Sequence, residues 1–173
     1  MDLKIYLYYK SISMNKDSVY QTIYNELLAI LEGENHVVLK MSTINCLIKT
    51  HFPDYFWVGF YLMNNHQLMV GPYQGTLGCL HIPLSKGVCG RAAREKTTQI
   101  VDDVLNDPQH IACDSATRSE IVVPVFYHNK ELIAVLDIDS TQYNSFETID
   151  QRWLEKIVQT HFAMEKLDGL VST

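Results

Sequence analysis

The chain has 173 residues, 47% of them hydrophobic and 20% charged, the composition of an ordinary globular domain large enough to bury a core without disulfide or metal staples. Its 14 basic and 20 acidic residues leave a formal charge of −6, which excludes the electrostatic footprint of a nucleic-acid binder. No apolar run approaches the ~18 residues of a membrane span, and the start "MDLKIYLYYKSISMNK" lacks the order of a signal peptide. A cytoplasmic setting is therefore expected, with the four cysteines (Cys46, Cys79, Cys89 and Cys113) reduced by default.

Residues 1–15 read as an N-terminal extension, and the domain is expected over 16–168. From Lys16 to Ile30, apolar residues at Val19, Ile23, Tyr24, Leu27, Leu28 and Leu31 outline one face of a helix, which "GEN" at Gly33 to Asn35 ends. A second helix is predicted from Val37 to Lys49, before Pro53. "YFWVGFYLM" (Tyr55 to Met63) and "QLMVGPYQG" read as two strands joined at "NNH", and "GCLHIPL" (Gly78 to Leu84) as a third. "SKGVCGRAAREKTTQIV" is a glycine turn entering a short helix, then a brief strand. Val101 to Thr117 is a long polar loop, of the kind that is more often functional than idle. "SEIVVPVFYHNKELIAVLDIDS" is a hairpin turning at "HNK". "FETIDQRWLEKIVQTHFAMEKL" closes the chain as an amphipathic helix with Ile149, Trp153, Ile157, Val158 and Phe162 on one side. Helices flanking an antiparallel run of strands make the class α+β, as one domain.

The chemistry concentrates around one thiol. In "DPQHIACDSATRSEIVVPV" (Asp107 to Val125), Cys113 sits in a polar loop beside a carboxylate, followed by Glu120 and then by Asp137 and Asp139 of "LDIDS". Negative charge normally disfavours a thiolate, so the acids call for another purpose. Asp137 and Asp139 share one strand face, with Leu136 and Ile138 on the other. Such aspartates can simply meet solvent at a strand end, yet two acids on one face repel, and aspartate is a poor strand former. Trp57 and Tyr61, four apart in a strand, also share a face; taken alone they fit a core as well as a pocket. Cys46, on the inner side of its predicted helix, reads as a small buried hydrophobe without a role. Cys89 lies where a turn enters a helix, a position that can lower a thiol pKa. Asp114 reads as a loop cap and His110 as a solvated histidine. No Cys-x2-Cys or His-x3-His pair occurs, so no metal site is expected.

The stretches "FWVGFYL", "GPYQG", "GCLHIPLSKGVCGRAA", "HIACDSATRSEIVVPV" and "LIAVLDIDS", in this order and with three placed cysteines, resemble the free methionine-(R)-sulfoxide reductases, which are single GAF domains. The resemblance runs from about Lys16 to the closing helix and implies a central antiparallel sheet with the N-terminal and C-terminal helices packed on one face. The GAF fold alone says little about chemistry, so the cysteine and acid pattern carries the implied activity. By resemblance, Cys113 is the nucleophile, becoming a sulfenic acid that Cys79 resolves as a disulfide, with Cys89 as an additional exchange partner. Glu120 and Asp139 are expected near the sulfoxide oxygen, one acting as general acid, and Asp137 near the substrate ammonium. Trp57 and Tyr61 are expected as pocket walls. No bound cofactor is implied; a thioredoxin-like reductant fed by NADPH is, and a homodimer through the terminal helices fits the fold. The competing reading is a non-catalytic GAF module that senses a small ligand or redox state. Arg118, beside Glu120, has no effect that the sequence predicts.

Overall fold

A computed structural model describes residues 15–108, 111, 113–128, 131–163 and 167–169. The expected N-terminal extension lies outside these up to residue 14, as does His110. Four helices and six strands follow one another as α1 (Lys16–Ile30), α2 (Val37–His51), β1 (Tyr55–Asn64), β2 (Gln67–Gln74), β3 (His81–Pro83), α3 (Gly87–Glu95), β4 (Gln99–Val101), β5 (Ser119–Tyr127), β6 (Glu131–Ser140) and α4 (Thr148–Phe162). The strands form one sheet in the order β3-β2-β1-β6-β5-β4, and every neighbouring pair is antiparallel.

Strand alternation divides the sheet into two working faces. Val58, Phe60, Ile121, Val123, Leu136 and Ile138 point to one side, where they pack against Ile44 and Ile48 of α2 and Leu154, Ile157 and Phe162 of α4. Helix α1 lies on α2 and α4 and contributes Tyr20, Ile23 and Leu27 to this core. The N- and C-terminal helices thus share a face, as expected. Helix α3 covers the other side with Val88, Cys89, Ala92 and Ala93, over Trp57, Tyr61, Val122 and Val135.

Local signals account for the element ends. Asn15 caps α1 by accepting from the Asp17 backbone N–H at 3.1 Å. Glu147 and Asp150 form a reciprocal capping box on α4. Asn65 and His66 both adopt positive φ, the conformation a two-residue hairpin turn requires. The β1 register with β6 slips between Tyr55 and Trp57, which turns Tyr55 into the helical core while Trp57 faces α3.

Three expectations are corrected. Cys46 is exposed on the outer side of α2 rather than inward, because Ile44, Asn45 and Ile48 take the buried stripe. Leu28 is also exposed, because the buried stripe of α1 runs through Val19, Tyr20, Ile23 and Leu27 and leaves it at the edge. The strand expected over Gly78 to Leu84 is only His81–Pro83, since the chain before it leaves the sheet to carry Cys79 to a disulfide.

Candidate active site

Between the sheet and α3 lies a cleft lined from β1, α3, β5 and β6 and from the loops that precede β3 and β5. Trp57 and Tyr61 form one wall with ring centroids 5.5 Å apart and planes 21° from parallel, and Tyr73 stacks on the far side of Trp57 at 5.2 Å. The indole N–H donates to the Thr76 carbonyl at 3.1 Å. Glycine makes this wall physically feasible. A Cβ at Gly59 would meet both the Trp57 ring and the Tyr73 Cβ at 2.4 Å, and one at Gly78 would meet the Tyr61 hydroxyl at 2.9 Å.

The floor is acidic. On β6, Asp139 pairs with Glu120 of β5 and Trp57 of β1, while Asp137 lies opposite Gly59. The register therefore gathers three carboxyls, and α3 lowers the Cys89 thiol onto them, 4.0 Å from a Glu120 oxygen. Burial is the main reason that all three acids hold their protons well above the usual carboxylate range; charge on the neighbouring acids adds to it. Thr117 opposes the shift at Asp139 by donating a hydrogen bond to it. Glu120 and Asp137 share a hydrogen bond that favours the proton on Asp137. The Tyr61 phenol is pushed up by burial, then by Asp137.

Two loops meet at the rim. The loop after β2 carries Cys79 and the loop before β5 carries Cys113, and the two sulfurs are joined as a disulfide with Cα atoms 5.2 Å apart. Beside it, the Thr76 hydroxyl donates to Asp114 at 2.7 Å, and the Ala116 backbone N–H donates to the other Asp114 oxygen at 2.8 Å. These bonds hold the Asp114 carboxyl below its ordinary range. Arg91 of α3 clamps the start of the Cys113 loop through Asp107 at 2.7 Å. Arg118 closes its end by donating to the carbonyls of Ser115 and Thr117, each at 2.8 Å.

Every residue named from the sequence as catalytic or substrate-binding lines this cleft: Trp57, Tyr61, Cys89, Cys113, Glu120, Asp137 and Asp139, with Cys79 bonded to Cys113 at its edge. One expectation about Cys89 is reversed. The start of α3 does not lower its pKa; burial, then the Asp137 and Glu120 charges, push the thiol well up. Asp114 and Thr117, which also line the cleft, were not anticipated as part of it. Only the sequence adjacency of Asp114 to Cys113 hinted at its place, and nothing local signalled Thr76.

A GAF domain family model matches residues 50–160. The chain is 37% identical over 145 residues to "Free methionine-R-sulfoxide reductase" of Escherichia coli, covering 84% of this chain and 87% of that protein. It is likewise 37% identical to the protein of the same name from Saccharomyces cerevisiae, over 156 residues that cover 86% of this chain and 87% of the relative. A crystal structure of free methionine-R-sulfoxide reductase from Neisseria meningitidis in complex with its substrate superposes with a TM-score of 0.81 at 36% identity, covering 87% of this chain and 92% of that one. The chain therefore belongs to the GAF domain family, alongside members named as free methionine-R-sulfoxide reductases.

Proposed function

We propose that this protein is an oxidoreductase that reduces free L-methionine-(R)-sulfoxide to methionine with thiol electrons and no bound cofactor. The observation that carries the reading is the Cys79–Cys113 disulfide at the rim of a cleft floored by Glu120, Asp137 and Asp139. The names of the bacterial and yeast relatives support it.

In the reduced protein the Cys113 thiolate attacks the sulfoxide sulfur. The oxygen passes from that sulfur to Cys113, releasing methionine and leaving a sulfenic acid. Glu120 or Asp139, kept protonated by burial, donates to the sulfoxide oxygen and makes its sulfur more electrophilic. Asp137 accepts the substrate ammonium, whose approach favours ionisation of that carboxyl. Trp57 and Tyr61 pack against the S-methyl end. Cys79 then attacks the sulfenic acid, expelling water and forming the disulfide, which an external dithiol reduces by exchange. Cys89 remains a thiol on the floor, available for exchange. The reductant in this reading is thioredoxin-like and draws on NADPH, the compartment is the cytoplasm, and pairing through the terminal helices forms a homodimer.

Discrimination for the free amino acid follows from the acidic floor, because a peptide-bound residue offers an amide where the free one offers a cation. The test is to incubate purified protein with racemic free methionine sulfoxide and dithiothreitol and to measure methionine. Consumption of only the R half is the expected result. No methionine above the protein-free control would replace this reading with a ligand or redox sensor.

A further inference from the structure

Cys89 takes no part in the Cys79–Cys113 disulfide, and beyond thiol exchange the chemistry proposed above assigns it no step. It is nevertheless buried where Glu120 and Asp137 converge. Its sulfur and one carboxyl oxygen from each acid all lie within 4.8 Å of one another, brought together from α3, β5 and β6. Separately, Oδ1 of Asp137 is buried with no hydrogen-bond partner among the described residues, and the residue is 6% exposed. A buried carboxyl oxygen left without a donor is costly, and its placement points to a cationic or protic guest. The described residues that line the cleft include no lysine, arginine or histidine to act as that guest.

We propose that Cys89, Glu120 and Asp137 form a binding site for a thiophilic divalent cation of the Zn2+ class, with the remaining coordination position open to the cleft. A thiolate with two carboxylate oxygens suits Zn2+ or Cd2+ and discriminates against Mg2+ and Ca2+, which require oxygen ligands alone. Zinc–sulfur bonds of about 2.3 Å and zinc–oxygen bonds of about 2.0–2.2 Å require donors roughly 3.5 Å apart in a tetrahedral site. The 4.0 Å between Cys89 and Glu120 must therefore close by about half an ångström, within the reach of side-chain torsions. Binding forms one metal–sulfur and two metal–oxygen bonds and releases the thiol proton with any proton held by the two acids, so affinity rises with pH. A metal seated here takes Asp137, which would otherwise meet the substrate ammonium, and Glu120, which would otherwise face the sulfoxide oxygen. That consequence makes the loaded protein an inhibited form and rests on the reductase reading; the site itself does not.

The experiment titrates Co2+ into full-length protein carrying Cys46→Ser, once with the Cys79–Cys113 disulfide closed and once with Cys79→Ser and Cys113→Ser. In both forms Cys89 is the remaining thiol. The expected result is one equivalent of Co2+ with a near-ultraviolet thiolate-to-metal charge-transfer band in at least one form. Cys89→Ser removes that band, and Asp137→Asn or Glu120→Gln weakens Zn2+ competition by at least about tenfold. Absence of the band from both forms overturns the site, as does a band that survives Cys89→Ser or an affinity that neither acid variant alters. None of these measurements involves sulfoxide turnover, so failure here leaves the methionine-release assay to judge the reductase reading by itself.

Discussion

Two buried acid sites, one on each side of the sheet, differ in how completely they are satisfied. Asp150 on the helical side is fully buried and accepts four hydrogen bonds: from Tyr20 at 2.8 Å, Tyr55 at 2.7 Å, Lys16 at 2.6 Å and the Glu147 backbone at 2.8 Å. Donors from α1, β1 and the start of α4 are thereby tied to one carboxylate. Across the sheet, Glu120, Asp137 and Asp139 face one another, Thr117 and a thiol, and one Asp137 oxygen has no partner among the described residues. Burial alone does not distinguish these sites. A carboxylate whose acceptors are filled by the fold is structural, whereas a cluster short of donors waits for a guest to supply them.

The largest effect expected from this contrast is on the cleft side. Cys113→Ser should reduce methionine release to background, with an unfolding midpoint unchanged when both proteins are compared fully reduced; near-normal single-turnover release would refute its role as nucleophile. Glu120→Gln should lower kcat by about 10²-fold to 10⁴-fold without loss of stability, as expected where a general acid is removed rather than a structural bond. Stability equal to wild type with unaltered kcat would erase the distinction between the two sites.

The helical side should show the opposite pattern. Asp150→Ala leaves Lys16 and two tyrosines without their acceptor and should cost about 3 kcal/mol in urea unfolding, with KM for the free sulfoxide unchanged. A loss confined to catalysis would contradict its structural role.

Titration sharpens the comparison further. The cleft acids have raised pKa values in the folded protein, so the stability they confer is full below the unfolded carboxylate range and is lost as pH rises through the folded values. Asp137→Asn removes one such titration. Its unfolding midpoint should therefore gain on that of wild type as pH increases, which urea melts at a series of pH values would measure. The proposed general acid also predicts that kcat falls over the same upward range. The smallest effect is expected at the rim, where Thr76→Val removes the hydrogen bond between the two cysteine loops. Quenched-flow trapping of thiols should show disulfide closure slowed several-fold, with the preceding methionine release unaltered.

Much of this was legible in residue order. The spacing of Val19, Ile23 and Leu27 located α1, and Ile157, Val158 and Phe162 located α4, because a helix face repeats every few residues whatever it packs on. Cys46 and Leu28 were misread for a related reason: an amphipathic stripe has edges, and only the packed neighbours decide which edge residue is covered. The pKa of Cys89 followed the same logic. Its place at the start of a helix is local, but its burial against Glu120 and Asp137 depends on how α3 lies over β5 and β6.

By itself the sequence determined the helix and strand periods, the α+β class and the placing of Asp137 and Asp139 on one face against Leu136 and Ile138, because backbone geometry imposes those repeats locally. Tertiary structure alone decided that Glu120 pairs with Asp139 and that one Asp137 oxygen is buried without a donor among the described residues; the Cys79–Cys113 bond, expected only through the family resemblance, closes across 34 residues where two loops meet. Strand register, loop closure and exclusion of water arise between segments, and no local pattern encodes them.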